Sequence, residues 1–355
     1  MRILISKFKS IGDVLLITPL LRNLKTVYPE SCLDVLVPEG TDELIRNNPY
    51  INKIYLTKNK KKFRISLLFS DLKLLFILFF KRYDLFIATD NGDRSAILAK
   101  IIKAKISIGR PDKFKIKIRN PYDSFFQNSK QRHIIEINQD PLRVLKKEIR
   151  YRGGVEIFHG KINNPCIKKF LEHNKKFIHI HPFSQAIYKE VDSKLISKIV
   201  DFCEINLGIK VVITGSSSTH DLLKTEEIVN LSKSDPEVFS GKLTLSETAY
   251  LNKFASILIV VDTAVMHISC ANRTPVVALF GPTAVNSWGP WDIDEKYNNY
   301  SRSGGVQTHG IHSVIASNMS CVPCSESGCA GKGYSNCLNE IDFEIIKKEI
   351  LKKLK

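Results

Sequence analysis

The chain has 355 residues, 43% of them hydrophobic, and carries 53 Lys and Arg against 36 Asp and Glu, a formal net charge of +17. That length exceeds one compact α/β core and favours two domains, and the modest Gly and Pro content excludes a disordered or fibrous chain. The charge is uneven: residues 1–160 hold 31 Lys and Arg against 16 Asp and Glu, whereas residues 161–355 hold 22 against 20, so the first half should face something anionic.

The opening MRILISKFKSIGDVLL is broken by Lys7, Lys9 and Asp13 and makes a poor signal peptide. RILISKF (2–8) reads as a strand, residues 10–29 as a helix, CLDVLVP (32–38) as a second strand, and residues 45–57 as a helix end, a turn and a strand. Residues 65–80 are apolar but include Asp71 and Lys73, too short a run to span a bilayer. They read as a helix whose main role is to be buried. A strand at 83–90, a helix at 94–104 and a short strand at 106–109 follow. In KFKIKIR (113–119) a strand would set Lys113, Lys115, Lys117 and Arg119 on one face. Residues 151–165 lose periodicity and gather Gly, Asn and Pro, marking a domain boundary. Beyond it the rhythm restarts: strands at 176–182, 210–215, 257–261 and 275–281 alternate with helices at 194–208, 220–232 and 245–255. Residues 343–355 form a terminal amphipathic helix. This βαβα order argues for parallel, doubly wound sheets, and the expected location is cytoplasmic.

Three strand ends could carry chemistry. ILIVV (257–261) stops at Asp262 and Thr263, and a helix beginning there would aim its unpaired N–H groups and its dipole at an anion such as a diphosphate. Thr263 could add a hydroxyl, and His267 lies one turn on, on the same face. The same spacing equally fits a capping Asp262 and a packed core histidine. In KSIGDVLL (9–16), Gly12 permits a tight approach and Asp13 falls in the first helical turn, where a carboxylate either accepts a proton or merely answers the helix dipole. HPFSQAIYKE (181–190) offers Ser184 and Lys189; a lysine there neutralises a leaving diphosphate or is a solvated surface residue.

Together FKSIGDVLLITPLL, VVDTAVMHISCANRTPVVALFGPT (260–283) and NSWGPWD (286–292) resemble the ADP-heptose:lipopolysaccharide heptosyltransferases of glycosyltransferase family 9, nearest to the heptosyltransferase III branch. The resemblance implies a GT-B fold: two Rossmann-like domains facing each other across a cleft. Residues 1–155 would bind the acceptor, residues 165–340 the nucleotide sugar, and residues 341–355 would close the chain as a helix. The family is inverting, uses no metal and needs no cofactor. By motif position, Asp13 matches the general base, Lys189 a lysine that contacts the donor phosphates, and Asp262, Thr263, Ala264 and His267 the diphosphate junction; Ser184, in the same loop as Lys189, is a further candidate for the donor. Many relatives have Gly at the position of Ala264. Asp221 is the residue available to match an acidic contact to the donor ribose. The implied partners are ADP-heptose, the lipopolysaccharide inner core and the inner face of the cytoplasmic membrane, where the enzyme would sit peripherally. Lys61, Lys62 and Arg64, beside the apolar 65–80 segment, and Lys113, Lys115, Lys117 and Arg119 would meet the phosphorylated acceptor or an anionic surface.

Three alternatives stay open. One is a non-catalytic nucleotide-sugar or anion-binding protein on the same scaffold. Another is a transferase using a different nucleotide sugar. The third, a nucleic-acid binder, rests on charge alone and lacks an aromatic–basic stacking platform. Of eight cysteines, Cys32, Cys166, Cys203 and Cys270 read as small buried hydrophobes. Cys321, Cys324, Cys329 and Cys337 have the ingredients of a structural zinc site, but their spacing fits no standard ribbon and favours reduced thiols.

Overall fold

The computed structural model describes residues 1–58, 65–110, 121–127 and 129–355. The chain divides into two compact units, Met1–Arg152 with Glu156–Phe158, and Gly153–Val155 with His159–Lys355.

The first unit is built on six parallel strands: β1 (Arg2–Ser6), β2 (Cys32–Pro38), β3 (Lys53–Thr57), β4 (Leu85–Ala88), β5 (Ile106–Gly109) and β6 (Ser124–Phe125). Their spatial order is β3-β2-β1-β4-β5-β6. Helices cover both faces, so β1 and β4 read as unbroken apolar runs; Ile3, Leu4, Ile5, Leu85 and Phe86 are wholly buried. The expected helix over 10–29 is two helices, Ile11–Leu15 and Thr18–Val27. Pro19, at the start of the second, has no N–H to give and obstructs a continuous helix. Gly12 lies inside the first of these helices, not in a loop.

The second unit carries β7 (Phe177–His181), β8 (Lys210–Ile213), β9 (Glu237–Val238), β10 (Ile257–Val261), β11 (Val276–Phe280), β12 (Gly305–His309) and β13 (His312–Ala316). The order is β12-β13-β11-β10-β7-β8-β9, all parallel except the β12–β13 hairpin at the edge. The helix expected over 194–208 runs as Ser193–Asp201, loosens into a π turn at Phe202–Asn206, and stops at Gly208 with φ +66°. The terminal helix Phe343–Leu354 packs Ile346 and Ile350 into the core formed by Ile178, Ile180, Val261 and Leu279.

Two expectations are corrected. The helix Ile65–Phe80 is not chiefly buried: Leu78 is enclosed, but Leu72, Phe76, Ile77, Phe79 and Phe80 are exposed. Of the four scattered cysteines, only Cys203 and Cys270 are buried; Cys32 and Cys166 are exposed. Among the described residues no helix is long and apolar enough to cross a membrane.

Candidate functional site

Both sheets change direction at one place. In the first, β1 is followed on one side by β2 and β3 and on the other by β4; in the second, β7 stands in the same relation to β8 and β10. At such a switch point the loops leaving neighbouring strands diverge to opposite faces, and the carboxyl ends of the strands border a crevice where ligands bind. The candidate residues of each unit gather at its own switch point.

In the second unit, β10 ends in Asp262, and Thr263 is the N-cap of the helix Ala264–Ala271. Thr263 keeps an extended backbone and spends no hydroxyl on capping, and both Thr263 and Ala264 are half-buried at the helix start. The loop after β7 comes back to them. Lys189 Nζ donates to Asp262 Oδ2 at 2.7 Å, and Ser184 Oγ lies 3.4 Å from the Asp262 carbonyl oxygen. The ion pair holds an ammonium, with three donor hydrogens, beside the amide end of a helix. That combination suits a diphosphate, because fixed dipoles and a cation meet the charge without reorganising. Thus Ser184, Lys189, Asp262, Thr263 and Ala264 come together. His267 does not join them as an exposed donor: it is buried, 4% exposed, within the packed helix.

Asp221 holds its own turn. Ser216 N donates to its Oδ2 at 2.8 Å and Ser218 Oγ to its Oδ1 at 2.9 Å, so both oxygens pin the turn that starts the helix Thr219–Leu231. The side chain that shapes the 184–190 loop is Glu190, which no local motif singles out. Its buried carboxylate accepts from Ser184 N, Lys224 Nζ and His220 Nε2, each at 2.9 Å. An acid beside Lys189 is the only local hint; two of its three partners, His220 and Lys224, lie 30 and 34 residues away.

In the first unit, the helix Ile11–Leu15 follows β1 and holds Asp13 in its first turn, half-buried. Ser10 Oγ donates to Asp13 Oδ2 at 2.7 Å. Lys7, only 2% exposed, stands 3.8 Å from Asp13 Oδ1 and donates to the Thr89 carbonyl oxygen at 3.3 Å. Burial pulls its ammonium down to about 8, against the raising influence of Asp13 and Asp90. Asp90 in turn accepts from Phe8 N at 2.6 Å and from Ser95 Oγ at 2.5 Å. A carboxylate oriented by a serine and a buried lysine is a suitable proton acceptor. Nothing in the sequence singles out Lys7, one of two lysines in SKFKS.

Lys61, Lys62, Arg64, Lys113, Lys115, Lys117 and Arg119 lie outside the described residues. The thiols of Cys321, Cys324 and Cys329 are near enough to Cys337 to act on it electrostatically, and burial first, then these neighbours, push its thiol up to about 11. Among the described residues no group of three or more His, Cys, Asp or Glu is arranged to hold a metal ion. The segment is tied to its neighbours by hydrogen bonds: Ser335 Oγ donates to the Tyr188 carbonyl at 2.6 Å, next to Lys189, and Ser325 N to that of Pro282 at 2.8 Å.

The sequence profile of glycosyltransferase family 9 (heptosyltransferase) matches residues 73–304. Lipopolysaccharide heptosyltransferase 3 of Escherichia coli is 27% identical over 291 residues, 79% of this chain and 83% of that protein. Among solved structures, a family 9 glycosyltransferase from Veillonella parvula superposes with a TM-score of 0.80 at 22% identity, covering 99% of this chain and 97% of that one. The E. coli heptosyltransferase WaaC with ADP superposes with a TM-score of 0.73 at 18% identity, covering 99% and 100%. These likenesses show the GT-B fold, and the profile covers well over half the sequence. The chain belongs to glycosyltransferase family 9, the heptosyltransferases.

Proposed function

We propose that this glycosyltransferase moves a heptose from ADP-heptose to the inner core of lipopolysaccharide, with inversion at the anomeric carbon, as a peripheral enzyme on the cytoplasmic face of the inner membrane. The observation that carries the reading is that each unit brings its own chemistry to the carboxyl ends of the strands at its switch point. One unit offers an anion-suited junction, Lys189–Asp262 with Thr263; the other offers Asp13 held by Ser10 and Lys7. Asp13 takes the proton of an acceptor hydroxyl, whose oxygen attacks the anomeric carbon as the bond to ADP breaks. The charge left on ADP falls to Lys189, Thr263 and the first amides of the helix Ala264–Ala271. The E. coli enzyme solved with ADP supports a nucleotide diphosphate as the product.

The test is mass measurement after incubation with ADP-heptose, other nucleotide sugars, and a core oligosaccharide freed of its lipid chains. A gain of one heptose per acceptor, matched by one ADP released, is expected. A gain from a different nucleotide sugar would reassign the donor. Tight ADP-heptose binding with no product would make the protein a non-catalytic binder.

Lys189→Ala should lower kcat/KM by about 10²-fold, the scale of losing one charged donor to a developing negative charge. Lys189→Arg should recover part of it. Steady-state kinetics with varied ADP-heptose decide; an unchanged kcat/KM would take Lys189 out of the donor site.

A further inference from the structure

The outer face of a helix on a soluble domain is normally polar. On the helix Ile65–Phe80 it is not. Leu72, Phe76 and Phe80, spaced four apart, are 55%, 66% and 60% exposed, and Phe79 extends the same face. The rings of Phe76 and Phe80 meet at a tilt of 50° with centroids 4.4 Å apart, and Phe79 meets Phe80 edge-on at 5.2 Å. The opposite face already has its partner: Leu78 is enclosed, and Leu74 and Leu75 pack on the core of the first unit. So the helix is anchored by one side and presents an aromatic stripe on the other, beyond what scattered exposed residues account for.

Charge selects what covers the stripe. Lys73 is exposed at its edge, and Arg82 is exposed just past the helix end. The unit as a whole carries 31 Lys and Arg against 16 Asp and Glu. A second copy would set one strongly positive unit against another, which costs energy. An anionic lipid surface meets the basic residues and the rings at once. Sixteen residues of helix reach about 24 Å, short of the roughly 30 Å hydrocarbon core, so the helix lies in the interface and does not cross it.

We propose that the outer face of the helix Ile65–Phe80, through Leu72, Phe76, Phe79 and Phe80, docks the protein on the headgroup–acyl boundary of an anionic phospholipid bilayer. This deepens the membrane-side placement proposed above and rests on it. Phenylalanine rings enter the acyl boundary, and Lys73 and Arg82 sit among the headgroups, each basic residue strengthening the attraction.

The experiment is co-sedimentation of the full chain with vesicles of phosphatidylcholine alone and of phosphatidylcholine with phosphatidylglycerol. The protein should pellet with the mixed vesicles, less so as salt is raised, and stay in solution with phosphatidylcholine alone. Phe76→Gln, Phe79→Gln and Phe80→Gln together should weaken binding about tenfold or more, with an unchanged thermal melt and an unchanged rate on the lipid-free acceptor. Lys73→Glu should weaken it less. Mixed-vesicle binding that survives the triple change overturns the proposal, as does a chain that pellets with neither vesicle. So does concentration-dependent self-association abolished by the triple change, which would give the stripe to a second copy. Normal transfer to the lipid-free acceptor without vesicle binding sinks the docking face and leaves the transferase standing. Vesicle binding lost on the triple change, with no transfer by the wild type, does the reverse.

Discussion

Asp13→Asn lowers kcat by about 10²- to 10⁴-fold, the usual loss when a positioned general base is removed, while the affinity for ADP-heptose stays near that of the wild type. Asparagine has almost the same shape and can still accept the 2.7 Å hydrogen bond from Ser10. What it lacks is the ability to take a proton from the acceptor hydroxyl. The residues proposed to hold the donor, Lys189, Asp262 and Thr263, belong to the other unit and are left in place. The substitution has one side effect to control for. Lys7 is buried and counts Asp13 among its few charged neighbours, with Asp90, Arg110 and Lys9 the others. Losing that carboxylate leaves the ammonium less compensated, which destabilises the unit. A thermal melt therefore accompanies the kinetics, and donor affinity is measured by calorimetry. Near-normal turnover in Asp13→Asn would remove this residue as the base.

Acidification below pH ~6.5 should destabilise the second unit. Three histidines there are held neutral: His179 and His312 are fully buried, and His181 is half-buried. Burial first, and for His179 the neighbouring His181, take its ring down from 6.5 to about 3. Burial likewise lowers His181 to about 4, against the raising effects of Asp221, Glu190 and Thr214. His312 falls to about 3, burial outweighing the pull of Asp292. In the unfolded chain each ring binds a proton below about 6.5; in the fold it does not. The unfolded state therefore holds more protons, and stability drops as pH falls from about 6.5 toward 4. At pH ~5 the loss is about 2 kcal/mol for each ring, a large share of a typical folding stability of ~5–15 kcal/mol. The same neutral rings let Thr214 Oγ1 bridge His179 Nε2 at 2.7 Å and His181 Nδ1 at 2.9 Å. Neither ring nitrogen of His312 has a hydrogen-bond partner among the described residues, so His312→Leu should flatten the acid limb without breaking a bond. Melting temperatures across this range test the account; a value that does not change between pH ~7 and ~5 would refute it.

Much of the architecture is legible in the sequence because the signals are local. Parallel strands enclosed on both faces, such as RILIS and ILIVV, must be continuous apolar runs, and Asp262–Thr263 after ILIVV announces a strand end and a helix start. The hairpin Gly305–Ala316 went unread, since its short alternation among Gly and His residues is a weak pattern. The helix Ile65–Phe80 shows a deeper limit. Apolar residues on every side say that a helix forms, but not which side meets the core. That both carboxylate oxygens of Asp221 pin its own turn is likewise visible only in the fold.

The sequence by itself determined the two α/β units, the strand–helix junctions at Asp13 and Asp262, and the surplus of positive charge in the first half, because periodicity, caps and composition act over a few residues. Only the tertiary structure decided which charges meet. Lys189 reaches Asp262 across 73 positions of chain, and Lys7 reaches Thr89 across 82. Those pairings follow from the order in which β1 lies beside β4 and β7 beside β10, and strand order is a property of the packed sheet that no short stretch of residues encodes.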